Sequence, residues 1–314
     1  MGSWLYQRLG DRLFAAVVAL FALGVVVAAG LIFVVLYLGG REALATFGFL
    51  GFVTGRTWDA VRGVFGAWPP LLGTLITSAA ALFLAFFPAL AAALFVVEFS
   101  RGALRELVAY LIDLLAALPS VVYGLWGIFV LVPLVRDRLE LPLFSWAAAH
   151  APWLLPYLGP PTGIGMLSAI LVLALMIVPY ASALARDALA LVPQAQREAM
   201  YALGATRWEV IRLVVIPYAR AGIFSGVVLA LARALGETMA VTMLIGNSVN
   251  LPYTLFGPAA TMASLIANEF AEAEDDLHLS ALIAVGFVLM LIALVTNLIA
   301  AFVLRRLAKG VEAR

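Results

Sequence analysis

Apolar and polar positions alternate along this chain on a long scale: extended apolar runs are separated by shorter polar stretches. A membrane-spanning helix needs about 20 largely apolar residues. Phe14 to Leu38 is uncharged over 25 residues and follows Arg8 and Arg12. A leader peptide has a similar basic flank but an apolar stretch of only about 7–15 residues, so this run reads as an uncleaved anchor. Further runs cover Leu71 to Val97, Leu107 to Leu134, Gly163 to Ala185, Ala221 to Ile245 and Ser280 to Leu304. Asp113 and Pro119 interrupt the third, which predicts a kink or a broken helix. Pro179 lies in the fourth run, and Arg233 and Glu237 in the fifth. The pattern predicts an all-α polytopic membrane protein with six transmembrane helices. The segment from Arg136 to Thr162, with Trp153, Pro156, Pro160 and Pro161, shows no clear helical period.

Composition agrees. Of 314 residues, 65% are hydrophobic and 12% charged, with a mean hydropathy of +1.09. A soluble domain carries about a quarter charged residues, so this chain has too little polar surface to cover a globule in water. Glycines and prolines inside the apolar runs are tolerated in membrane helices, where neighbours re-satisfy the freed backbone groups. A net charge of +1 implies no nucleic-acid partner, and the absence of cysteine excludes disulfides and thiol chemistry. His150 and His278 are the two histidines, too few for a histidine-rich metal site; no metal or cofactor is expected.

Lysine and arginine set the orientation. With the N-terminus cytoplasmic, thirteen fall inside; Arg41, Arg56, Arg62, Arg136 and Arg138 fall outside, and Arg233 remains in the membrane. Both termini are therefore expected in the cytoplasm. The outer loop from Val249 to Leu279 has no lysine or arginine, only Glu269, Glu272, Glu274, Asp275 and Asp276. It reads either as a solvated surface loop or as a docking edge for an external protein. Residues 1–70 form an anchor span with an outer loop, 71–308 the main transmembrane domain and 309–314 a tail. No repeat is visible.

One cytoplasmic loop has its own internal order. Pro193 suits the first turn of a helix, and good helix formers follow as far as Leu203. Gly204 can adopt the left-handed conformation that ends a helix. Thr206 and Glu209 form a T-x-x-E capping box that starts a second helix, which Pro217 is expected to close. Two short helices meeting at a glycine elbow would make a rigid protrusion for another protein to grip.

These residues resemble a known family. Glu198-Ala199, Gly204 and Val214-x-Ile216-Pro217 look like the E-A-A…G…I-x-L-P loop of binding-protein-dependent ABC importer permeases; Met200, Val214 and Ile216 are apolar replacements within it. The run Leu118 to Gly127 is similar to a segment shared by the permease pair of phosphate importers. Arg233-Ala234-Leu235-Gly236-Glu237-Thr238, continuing to Asn247, resembles the PstC type of that pair. The likeness covers about residues 71–306. It implies a permease fold with a cytoplasmic coupling-helix loop in which Glu198, Ala199, Gly204 and Pro217 engage an ATPase. The partners implied are a PstA-like sister permease, two PstB-like ATP-binding subunits and an external PstS-like phosphate-binding protein. The place implied is the bacterial inner membrane, with lipid around the chain. A G-x-x-x-x-G-K-[ST] phosphate loop is absent, so ATP hydrolysis belongs to a partner.

Arg233 and Glu237 are four positions apart, on one helix face, and can pair. Each is costly in lipid, about 2.5–3.5 kcal/mol for a central arginine on insertion scales, and should face the bundle interior. The pair reads either as a structural tie or as an anion step, since a guanidinium fork matches phosphate oxygens. Asp113 has a weaker claim. Thr74, Thr77 and Ser78 share one face of the second span, as hydroxyls for an anion or as small residues for close packing. Rival functions are a permease for molybdate or sulfate, a secondary transporter with inverted repeats, and an intramembrane enzyme.

Overall fold

The computed structural model describes residues 2–312, with side chains at Asp11 and from Leu13 to Leu307. The side chains of Arg8, Arg12, Lys309 and Arg314, and most of the expected tail, lie outside that range. Among the described residues six helices are long and apolar enough to cross a membrane: Leu13–Gly39, Trp68–Phe99, Ser120–His150, Met166–Ala190, Arg207–Leu235 and Asp276–Leu307.

Two spans differ from their expected bounds. Pro119 does break the third apolar run: Leu118 and Pro119 are extended, at ψ 133° and 140°. The piece before the break, Gly102–Ala117, is a separate half-helix that carries Asp113. The span itself starts at Ser120 and runs to His150, so the first part of the expected irregular segment is helical. The fifth span is also displaced. It begins at Arg207, ends at Leu235, and is followed after Gly236–Thr238 by a short helix, Met239–Leu244.

Pro217 does not close its helix. A proline inside a helix removes one hydrogen bond and its ring strikes the carbonyl four residues back. Here the turn Ile211–Val215 widens to an i→i+5 pattern, which moves that carbonyl aside. The third span uses the same device twice: Gly127–Leu131 widens before Pro133, and Arg136–Glu140 before Pro142. In all three places the proline sits two residues beyond the wide turn.

The fourth span is the axis of the bundle. In the second span Ala81, Ala85, Ala89 and Ala93 are at most 2% exposed and recur every four residues, a stripe that lets helices approach closely. On the fifth span, a Cβ at Gly226 would lie 2.7 Å from the Ala181 carbonyl oxygen of the fourth. The first span stands outside this core and leans on the sixth through Phe33 and Tyr37 against Phe287, at 5.0 and 5.7 Å. The first outer loop holds an antiparallel pair, Trp58–Asp59 with Val64–Phe65, which the sequence pattern does not suggest. It packs on the N-terminal end of the sixth span, where the Ala43 N–H donates to Ser280 Oγ at 3.1 Å.

Candidate functional site

Two interrupted helices meet beside Tyr180, the fifteenth of 25 residues in the fourth span. The Tyr180 hydroxyl donates to the Ala116 carbonyl at 3.0 Å, and the Tyr123 hydroxyl to Leu115 at 2.8 Å. These carbonyls end the half-helix Gly102–Ala117; Leu115 also accepts from the Leu118 N–H at 3.4 Å, and beyond that no further turn exists to use them. The half-helix after the other break packs against the start of the third span: Cβ atoms at Gly124 and Gly127 would meet Met243 and Leu244. Chain breaks at such depth persist only where they are buried in protein or line a cavity.

Arg233 is in the last turn before the second break and Glu237 is inside it. Arg233 Nη2 lies 2.9 Å from Glu237 Oε2, so the expected pair exists. Its detail matters. The Glu237 carboxylate is 1% exposed, yet Oε2 accepts no aligned hydrogen bond. The contact is close and ionic without the directional fork. The other oxygen, Oε1, accepts from the Ala240 N–H at 3.3 Å and so holds the next helix. The Arg233 side chain is 35% exposed, and its guanidinium stands 5.9 Å from the Tyr180 ring. A fixed carboxylate thus holds a partly open cation with donors to spare.

Thr74, Thr77 and Ser78 do share a face, but it is sealed at 2% exposure or less. Their hydroxyls donate to Pro70, Gly73 and Thr74 carbonyls one turn back, and Thr74 Oγ1 accepts from the Met262 N–H at 2.9 Å. They pack the outer loop onto the second span. Asp113 lies on the half-helix and pairs with Arg186 of the fourth span at 3.2 Å. Of the acidic outer residues, Glu269 is structural: Oε2 accepts from Trp58 Nε1 at 2.8 Å and lies 3.0 Å from His278 Nε2.

The loop between the fourth and fifth spans has the expected elbow. Gln194–Ala202 is helical, Gly204 has φ +82°, and Thr206 and Glu209 form the reciprocal capping box. Glu198, Ala199 and Gly204 are exposed, with the apolar Leu203 and Trp208 beside them at 83% and 62%. Pro217 is away from the elbow, inside the fifth span.

Sequence reasoning missed Arg197, which it counted only as an inside charge. Arg197 Nη2 reaches Glu98 at the end of the second span at 2.9 Å and the Leu189 carbonyl at 3.0 Å; Nη1 reaches the Val192 carbonyl at 2.9 Å. One side chain therefore ties the loop helix to the ends of two spans. The only signal in the sequence was Glu98, an acid at the end of an apolar run.

Residues 85–309 match the family model described as a binding-protein-dependent transport system inner membrane component. A protein of Mesorhizobium japonicum called a phosphate transport system permease protein PstC is 42% identical over 300 residues, covering 95% of this chain and 91% of that one. A Pasteurella multocida protein of the same name is 41% identical and covers 95% and 93%. Among solved structures, an inward-facing MetNI methionine ABC transporter matches with a TM-score of 0.57 at 18% identity, over 80% of this chain and 96% of that one. A bacterial alginate ABC transporter, solved with an alginate-bound periplasmic protein, matches with the same score at 18% identity over 87% and 88%.

Proposed function

This chain belongs to the family of binding-protein-dependent transport system inner membrane components, and we propose that it is one transmembrane half of an ATP-driven phosphate importer. The observation that carries the substrate is the likeness to PstC proteins along 95% of the chain. The arrangement of Arg233 suits that cargo. A guanidinium stays charged at any working pH and presents parallel N–H groups to an oxyanion. Glu237 offsets the cation between cargo visits, and its misaligned contact is easily exchanged for a phosphate oxygen. In this reading Arg233 and Glu237 form an anion step of the path. None of the relatives reported above is named for molybdate or sulfate. Labelled phosphate uptake by the reconstituted complex, challenged with excess molybdate and sulfate, tests the substrate. Uptake unaffected by unlabelled phosphate but blocked by molybdate would sink it.

Coupling is read from the loop. Glu198, Ala199 and the Gly204 elbow, with Leu203 and Trp208 exposed beside them, form a surface for an ATPase subunit. Pro217 sits where the second loop helix, past the widened turn Ile211–Val215, continues as the fifth span, so motion at the elbow passes into the membrane. The hydrolysing subunits are two PstB-like chains, the sister permease is PstA-like, and phosphate arrives on a PstS-like external protein. The membrane is the bacterial inner membrane with both termini cytoplasmic, supported by the lysine and arginine asymmetry. A cysteine at Ala271 should then react with an impermeant thiol reagent from outside, and one at Ala195 only from inside. Labelling of both from one side rules the arrangement out.

A further inference from the structure

Arg186 takes no part in the path described so far, and it is an unusual arginine. It is the twenty-first of 25 residues in the fourth span, six residues inward of Tyr180. At 1.5 Å per residue that is about 9 Å along the axis. Tyr180 is the ring beside which Arg233 stands. Arg233, on the neighbouring fifth span, thus stands beside Tyr180, and Arg186 follows about 9 Å further along the fourth span.

The Arg186 side chain is 19% exposed, and its bonding is incomplete. Nη2 donates to both oxygens of Asp113, at 3.2 and 3.4 Å. Nε lies 3.9 Å from Asp187, too far for a hydrogen bond. Nη1 is buried and has no partner among the described residues. A planar carboxylate on one nitrogen leaves the other empty. A tetrahedral oxyanion spanning Nη1 and Nη2 would satisfy both, as bidentate guanidinium–phosphate contacts do.

The half-helix that carries Asp113 has few buried ties. The half-helix Gly102–Ala117 has no buried residue. Gly102, at φ +54°, starts it, and the extended Leu118–Pro119 ends it. Its ties to the bundle include the Asp113 pair and the hydroxyls of Tyr123 and Tyr180. A rigid segment hinged at both ends and fastened by exchangeable polar contacts can lift without breaking a core.

We propose that Arg186 is a second anion-binding step, inward of Arg233, which the transported oxyanion occupies by displacing Asp113. The exchange releases the half-helix from the fourth span, so the arriving cargo opens its own way out. The inference rests on the chain being an oxyanion path.

Uptake of labelled phosphate by the full reconstituted complex tests it, using Arg186→Gln, Arg186→Lys and Asp113→Asn. The glutamine variant should lose about tenfold or more in maximal rate, with half-saturating external phosphate unchanged and the ATPase still bound. The lysine variant, with charge but no fork, should fall between it and the wild type. Asp113→Asn, which removes the competitor and the tie together but leaves the fork, should keep at least about fivefold more uptake than Arg186→Gln. A tie that merely fastens the half-helix predicts equal losses from either side of the pair; equal losses, or full uptake in Arg186→Gln, overturn the proposal. If Arg186→Gln does not assemble, Asp113→Asn decides alone: near-normal uptake supports the anion step, and a tenfold loss overturns it. Absence of phosphate uptake in the wild-type complex would instead sink the phosphate reading, and the same variants would then be assayed with the oxyanion the complex does carry.

Discussion

Two arginine–glutamate pairs in this chain share an N–O separation of 2.9 Å and have opposite surroundings. At the base of the loop helix, Arg197 faces Glu98 and two backbone carbonyls, with both partners 13% exposed or less. In the broken fifth span, Arg233 faces a sealed Glu237 but is 35% exposed itself, with a misaligned contact. The first arginine engages three protein acceptors, leaving its Nε buried without a partner among the described residues. The second meets one carboxylate. Charge and distance are equal, so they cannot distinguish a strut from a hook; the number of acceptors engaged can. A guanidinium held on three acceptors fixes geometry, and one that shares a single carboxylate at a chain break keeps donors that, on the proposed reading, meet a passing anion.

The sharpest way to break this comparison is to remove both charges of each pair. Arg233→Met with Glu237→Met leaves no unpaired ion and should assemble, yet phosphate uptake should fall to background. Arg233→Lys, which loses the fork, should cost about tenfold or more. Near-normal uptake in the double variant would make this pair a strut as well. At the base, Arg197→Gln alone strands a buried carboxylate and should destabilise the complex by about 3–5 kcal/mol, read as a lower unfolding temperature. Glu98→Gln with Arg197→Gln should recover most of that stability, while ATPase stimulation by phosphate-loaded binding protein stays reduced. Full recovery of stimulation would deny Arg197 any part in transmission.

Smaller effects belong to the elbow. Gly204 has open space around it, so a side chain there meets only backbone strain. Gly204→Val should cost about 1–2 kcal/mol locally and lower ATPase association, with normal membrane insertion. Normal association and uptake in this variant would remove the elbow from coupling. Thr206→Ala removes the cap and should cost about 1 kcal/mol, seen as faster proteolysis of the loop with uptake within about twofold of wild type. Unchanged proteolysis would show that the fifth span alone holds that turn in place.

Much of this was legible in the sequence because hydropathy reports burial in lipid directly: all six spans, the elbow glycine and the capping box follow from residue type and spacing. The third and fifth spans moved for a physical reason. A hydropathy run adds the half-helix before Pro119 to the helix after it, and it cannot see that the helix stops at Leu235 and a new one starts at Met239. Pro217, Pro133 and Pro142 look like helix stops, and only a widened turn upstream makes them passable. Arg197 was hidden by its own charge: counting it as an inside arginine used up the information, and its partners are distant in sequence. Thr74, Thr77 and Ser78 show the converse, since spacing places them on one face but cannot say that the outer loop covers it.

The charge fixed at Arg233 has an electrical consequence. Each negative charge carried toward an interior-negative side works against about 2.3 kcal/mol per 100 mV. A guanidinium that stays in place lowers the local cost of an anion in the low-dielectric interior, but it returns nothing of that work, because its own charge never crosses. The residue sets how high the hill stands at one point and leaves the height difference between its two feet untouched. On the proposed reading that difference comes from ATP, as motion entering through the loop helix that Arg197 holds.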